Sequence, residues 1–256
     1  MRFDYHIHTE FSYDSVIKGD ALMAKAISLH YDEIAITEHL DLLPLELSNY
    51  GLPSLKKYHV YTKLLQERYP QIKLRSGIEI GDYHLLRDYA KELISGFDFF
   101  PILGSVHFLR DHTNVAIPLK KPLSNAQIRD YYENNLALVS ECDIDILAHL
   151  GVYKRYYDYR PDERLVQGLI KDIFKTMIKR KIALEINLSS LRKPYRESIP
   201  EPDYLQLYQE LGGELISVGS DAHLLENFGE AHLFAEQMGI TLNVDRHPES
   251  EALIQG

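Results

Sequence analysis

The strongest constraint on the fold is an alternation. Seven short β-branched or apolar runs, RFDYHIH (2–8), DEIAITEH (32–39), IKLRSGIEI (72–80), FFPILGSVH (99–107), IDILAHL (144–150), IALEINLS (182–189) and LISVGSDAH (215–223), are each followed by an amphipathic stretch. Those stretches lie near residues 20–30, 54–69, 84–95, 124–141, 162–180, 202–212 and 225–238. Leu22, Ala26 and Leu29 carry the helical spacing in the first, and Ile170, Phe174, Met177 and Ile178 carry it in a later one. Gly51 with Pro53, and Pro200 with Pro202, punctuate the chain before helices. Strand–helix units in series demand a parallel sheet with helices outside it. Seven units can form either an open doubly wound sheet or a closed barrel.

The strand ends decide between them. Strands one to five and seven finish in histidine or carboxylate: His6 and His8, His39, Glu79, His107, His149, and Asp221 with His223. In a barrel those ends converge on one mouth, whereas an open sheet spreads them along a line. The expected architecture is therefore α/β, a distorted TIM-like (β/α)7 barrel, one unit short. It should form a single domain over residues 1–256, with its site at the C-terminal ends of the strands. No repeat, low-complexity tract or long linker divides the chain.

Converging histidines and carboxylates are metal ligands before they are anything else. His6 and His8 stand two apart, so on a strand both rings point to one face. With Asp14, which follows within the next loop, nine candidates result: His6, His8, Asp14, His39, Glu79, His107, His149, Asp221 and His223. A catalytic zinc takes about three protein ligands and leaves a position for water. Nine donors are too many for one ion, enough for two, and comfortable for three if a carboxylate bridges. Imidazole and carboxylate suit zinc, iron or manganese, and the lack of clustered thiolates disfavours a cysteine-type structural zinc. A lone strand-end histidine is ordinarily a satisfied or exposed side chain. Six chemically loaded ends in register are not explained that way. Glu79 and Asp221 also sit in apolar surroundings, where an unpaired carboxylate is expensive. His30, His59, His84, His112, His232 and His247 lie outside the pattern and read as ordinary.

Charge and cysteine usage narrow the partners. A formal net charge of −10 disfavours a nucleic-acid backbone, which needs a basic face, but admits a small anionic substrate once cations are added to the site. Cys142 is the only cysteine, so no internal disulfide can form. The start, MRFDYHIH, carries no leader-like apolar run, and no segment approaches the ~20 apolar residues of a membrane span. A cytoplasmic location is the expectation.

These residues resemble the PHP (polymerase and histidinol phosphatase) superfamily. The likeness rests on HIHTEFSYD (6–14), TEH (37–39), GIE (77–79), GSVHF (104–108), AHL (148–150) and GSDAH (219–223), in order from residue 2 to about 240. Within the superfamily, LEINLSSLRKP (184–194) and HLGVYKRY (149–156) are similar to the histidinol-phosphate phosphatases of histidine biosynthesis. The resemblance implies a distorted (β/α)7 barrel with a two- or three-metal site at its mouth. It implies that His6, His8, Glu79 and Asp221 hold one ion, that Glu79 bridges to a second held by His107 and His149, and that Asp14, His39 and His223 hold a third. After GSVHF the family usually continues with a glycine–tryptophan turn. Here the chain reads LRDHTNVAIPLKKPLSN (109–125) and has no tryptophan, so the loop expected to shape the substrate mouth is different.

The reaction so implied is hydrolysis of L-histidinol phosphate to L-histidinol and phosphate, a metal-bound hydroxide attacking phosphorus in line. The resemblance implies Arg155 and Arg192 as the phosphate clamps, each following a strand end in a family-like motif, and paired guanidinium N–H groups suit phosphoryl oxygens. With Asp221 and His223 they make up the candidate catalytic set, Asp221 also being a possible proton donor to the leaving alkoxide. Three alternatives stay open: a PHP phosphoesterase acting on a nucleotide or another monoester, an amidohydrolase-like enzyme cutting C–N bonds, and a metal-binding module without turnover.

Overall fold

A computed structural model describes residues 2–237. Seven parallel strands run in sequence order around the sheet: β1 (Phe3–Ile7), β2 (Glu33–Asp41), β3 (Lys73–Gly81), β4 (Ile102–Ser105), β5 (Ile146–Leu147), β6 (Ala183–Asn187) and β7 (Ile216–Gly219). The sheet turns back on itself. The amide of Asp221 donates to the His6 carbonyl at 2.8 Å and the amide of His8 to the Ala222 carbonyl at 3.0 Å, joining the first strand to the end of the last. The nearly closed (β/α)7 barrel expected from the strand ends is the fold that forms.

Eight helices are described: α1 (Gly19–Ser28), α2 (Pro44–Tyr50), α3 (Leu55–Arg68), α4 (Arg87–Ile94), α5 (Asn125–Glu141), α6 (Gln167–Arg180), α7 (Pro202–Glu210) and α8 (Ala231–Gln237). α1 buries Leu22, Met23 and Ala26, and α6 buries Ile170, Ile173, Phe174 and Met177. Each of these larger side chains, Ala26 aside, contributes roughly 1.5–3 kcal/mol relative to exposure. Leu29 and Ile178, expected on the same stripes, are half-buried at the stripe edges. α5 starts at a capping box: Ser124 Oγ accepts from the Gln127 amide, and Gln127 Oε1 accepts from the Ser124 amide at 3.0 Å.

Three differences from the sequence pattern stand out. α2 has no sustained apolar stripe and its start is set by Pro44 at the first turn. The fourth and fifth strands are much shorter than their apolar runs, since only residues 102–105 and 146–147 pair with neighbours. The final amphipathic stretch begins as a 3-10 turn at Leu225–Asn227 before α8. Residue 238, His247 and the side chain of His232 lie outside the described residues. Among the described residues no helix is long and apolar enough to cross a membrane.

Candidate active site

Parallel register builds the site. In the β2–β3 pairing His39 lies beside Glu79, and Asp41 beside Gly81. Because side chains alternate, Thr37, His39 and Asp41 share one face of β2, while Gly77, Glu79 and Gly81 share the matching face of β3. Gly81 leaves the space that Asp41 fills, since a Cβ there would overlap Asp41 Oδ1 and press on the ring of His107. Gly219 does the same service across the barrel, where a Cβ would collide with Glu185 Oε1 and His6. Both are close-approach positions that only glycine satisfies.

Glu79 is the hub. It is 1% exposed, and five imidazoles surround it. Its Oε2 lies 3.3 Å from His6 Nε2, 3.4 Å from His8 Nε2 and 3.1 Å from His39 Nδ1. Its Oε1 lies 2.8 Å from His149 Nε2 and 3.6 Å from His107 Nε2. Asp221 Oδ1 stands 3.7 and 3.6 Å from the Nε2 atoms of His6 and His8. At the rim, His39 Nε2 and His223 Nε2 are 3.4 Å apart, with Asp14 Oδ1 3.6 Å from the first and Oδ2 3.3 Å from the second. All nine sequence-picked residues are thus brought together. His149 and Asp221 reach the cluster with positive φ, +29° and +51°, a backbone state that non-glycine residues adopt at some strain.

The donor set fits cations. Four groupings have ligand atoms within 4.8 Å of one another: His6–His8–Glu79, Glu79–His107–His149, His6–His149–Asp221 and His8–His39–His223. Separations near 3.4 Å are what two ligands show when each lies about 2.1 Å from a shared ion. Glu79 Oε2 is buried and accepts no hydrogen bond among the described residues, an expensive state for a carboxylate oxygen that a cation would relieve.

Carboxylates stand behind the candidate ligands. His6 Nδ1 bonds Glu185 Oε1 at 2.6 Å, which turns Nε2 toward the cluster, and Glu185 Oε2 accepts from the His149 amide at 2.6 Å. Asp41 sits 3.6 Å from His39 Nδ1 and 3.4 Å from His107 Nδ1. Glu38 accepts from the Thr9 amide and from Ser12, fixing the turn after β1, and Ser12 Oγ in turn meets His8 Nδ1 at 3.2 Å. Asp82 accepts from the amides of His107 and Phe108, and burial pushes its carboxyl up to about 7. Glu185, Asp41, Glu38 and Asp82 were not singled out in the sequence. Glu185 carried a usable signal, being an acid between Leu184 and Ile186 in a strand.

The field inside the site is divided. Burial alone would lift Glu79, but His6, His39 and the bonds from His107 and His149 hold it well below the usual carboxylate range. Burial likewise opposes charge on Asp221, and Arg155 and His6 overcome it. Burial opposes protonation of His6, His39 and His107, yet neighbouring carboxylates raise all three, His107 to about 10. Burial, with His39 and His223, drives His8 down, and burial also lowers His149.

Arg155 Nη2 bonds Asp221 Oδ2 at 2.6 Å, and Arg192 Nη2 bonds the Ser220 carbonyl at 2.7 Å. Two basic side chains therefore flank one turn. Arg155 Nε and Arg192 Nη1 are buried N–H donors with no partner among the described residues. A cavity of about 250 Å³ opens over the cluster, and its lining includes Asp14, Glu79, His107, His149, Arg155 and Asp221. Asn114, Ala116 and Ile117 line it too, so the loop after β4 does shape the mouth. Arg192 is not part of that lining.

Comparison with known proteins agrees with this geometry. The chain is 28% identical over 234 residues to a probable histidinol-phosphatase of Clostridium acetobutylicum, covering 90% of this chain and 89% of that one. It is 29% identical to a probable histidinol-phosphatase of Thermotoga maritima, covering 88% and 86%. Among solved structures, histidinol phosphate phosphatase of Lactococcus lactis subsp. lactis, crystallised with zinc, L-histidinol and phosphate, superposes with a TM-score of 0.78 at 25% identity, covering 94% and 95%. Residues 4–189 match the PHP domain. The chain belongs to the PHP domain family.

Proposed function

We propose that this protein is a metal-dependent phosphatase that hydrolyses L-histidinol phosphate to L-histidinol and phosphate, a step of histidine biosynthesis. The observation that carries the reading is Glu79, buried among five imidazoles at the floor of a cavity whose wall bears Arg155. Likeness over most of the chain to histidinol-phosphatases supports the choice of substrate.

Nine residues would hold two or three divalent ions of zinc, iron or manganese: His6, His8, Glu79 and Asp221; His107 and His149 with Glu79 shared; and Asp14, His39 and His223. Such cations supply neutralising charge to the ester oxygens and lower the pKa of water toward ~7. The chain's own groups do the rest. Arg155, on the cavity wall, binds phosphoryl oxygens through the N–H that otherwise lacks a partner, and Arg192, outside that lining and bonded to the Ser220 carbonyl, is the second proposed clamp. Asp221, kept ionised, holds Arg155 by accepting from Nη2. Glu185 fixes the ring of His6, and Asp41 places negative charge beside the Nδ1 atoms of His39 and His107, so that part of the site is set before charge develops on the leaving oxygen. In the net reaction a water oxygen bonds to phosphorus, the ester P–O bond breaks, and the departing alkoxide gains a proton.

The remaining expectations go with this reading: one catalytic domain over the whole chain, a small phosphorylated substrate, no nucleic acid or membrane as partner, and a cytoplasmic home. The test is phosphate release from L-histidinol phosphate and a panel of nucleotide monophosphates, after loading with zinc, iron or manganese. Turnover should favour histidinol phosphate and vanish in His107→Ala. Preferred turnover of a nucleotide would move the chain to the alternative phosphoesterase reading.

A further inference from the structure

The cavity contains one carboxylate that nothing on its floor requires. Asp14 faces His39 and His223, Asp221 is taken by Arg155, and Glu79 is ringed by imidazoles. Glu46, on α2, also lines the cavity and is only 7% exposed. Among the described residues it makes no hydrogen bond and no ion pair. Burial, helped by the charge of Asp41, raises its carboxyl above the ordinary value, so the site as it stands opposes its ionisation. A cation beside it would reverse that. Beside Glu46 the wall is aromatic: Tyr13 and Tyr50 stack with centroids 3.7 Å apart and planes 7° from parallel, and both line the same cavity. Tyr50, on the same helix, is 51% exposed and offers a flat face.

Resting on the phosphatase reading above, we propose that Glu46 is the specificity residue for the alcohol half of the substrate. It accepts the ammonium group of an amino-alcohol phosphate, while the Tyr13–Tyr50 wall offers its π face to the imidazole ring when that alcohol is histidinol. The two ends of the cavity then differ in sign. Arginines and cations take the phosphoryl group, and Glu46 takes the amine. Monoesters of neutral alcohols leave Glu46 buried without a partner and are selected against, as are nucleotides, which bring further negative charge.

The experiment measures kcat/KM for L-histidinol phosphate, phosphoethanolamine and glycerol 2-phosphate, in wild type, Glu46→Gln and Glu46→Asp at matched metal content. Wild type should favour the two amine-bearing esters. Glu46→Gln should reduce that preference about tenfold or more, mainly through KM, and Glu46→Asp should restore part of it. A Glu46→Gln enzyme that keeps the wild-type preference overturns the proposal, as does a wild type indifferent to the amine. If wild type rejects histidinol phosphate yet shows a Glu46-dependent preference for phosphoethanolamine, the substrate assignment above fails and this inference stands. If histidinol phosphate is turned over and the preference survives in Glu46→Gln, the reverse holds. Inhibition of the wild type gives a check that needs no variant to fold. L-histidinol should inhibit about tenfold more strongly than its analogue lacking the amine, and equal inhibition counts against the proposal.

Discussion

Glu185 shows how much of a candidate metal site rests on residues that never face the cavity. Its two oxygens hold the ring of His6 on β1 and the backbone of His149 just past β5, two candidate ligands. Glu185→Gln keeps the shape but gives up the charge that fixes the His6 ring. Metal affinity or turnover should fall about 10–100-fold, read by titrating metal into the stripped variant. The protonation of the empty site makes a second prediction. Carboxylates raise His6, His39 and His107, so near neutral pH these rings carry protons that a cation must displace. Metal uptake should release protons into weak buffer, and apparent affinity should climb with pH through the neutral range toward the raised His107 value of about 10. Uptake without proton release would mean that these rings are already neutral in the metal-free protein.

At the scale of elements, the turn after β5 is held by a buried polar knot. Lys154, fully buried, donates to Glu163 and Glu201, each at 2.8 Å, while Tyr132, Tyr153 and Tyr204 donate to Glu163 and Tyr195 donates to Glu201. Lys154 precedes Arg155, so the knot also fixes the segment that carries the proposed phosphate-binding group. Removing one partner strands buried charge, and Lys154→Met should cost about 3–5 kcal/mol, measured by urea unfolding. Glu163 is lowered, so its contribution is present above its unfolded value of about 4.5 and lost as pH falls through the folded one; Lys154 is raised, so its contribution holds below about 10.5 and is lost as pH rises through the folded one. Stability from the knot should therefore be flat between about pH 5 and 10. The strand ends were legible in the sequence because a period of two and a terminal histidine are local signals. The shortening of β4 and β5 was not, because pairing depends on neighbours far along the chain. α2 was missed as well: the seven residues beginning at Pro44 show no helical stripe, and it is α2 that brings Glu46 to the cavity.

Across the whole molecule, residues 6 to 223 meet because seven parallel strands deliver their C-terminal ends to one rim. Closure of β1 onto the segment after β7 does the final step, placing Asp221 against His6. The nine candidate ligands could be picked from sequence once barrel closure was assumed, since every strand run but the sixth ends in histidine or carboxylate and Asp14 follows the first. The supporting carboxylates could not be assigned partners that way. Asp41 needs the β2–β3 register and the gap at Gly81, and Glu185 needs the gap at Gly219, so their roles exist only in three dimensions. A ligand that binds only the folded state stabilises it by about 2.7 kcal/mol at a hundred times its Kd. Stripping the metals should thus lower the melting temperature by roughly 5–10 °C, restored on reloading. On the proposed reading, the gathered histidines and carboxylates hold the cations that make the chain a phosphatase. Its most direct test is phosphate release from L-histidinol phosphate, followed while metal is titrated into the stripped protein with bound metal counted at each point. Activity should be absent at zero metal and rise to a plateau at about two to three ions per chain; full turnover with no metal bound would contradict the account.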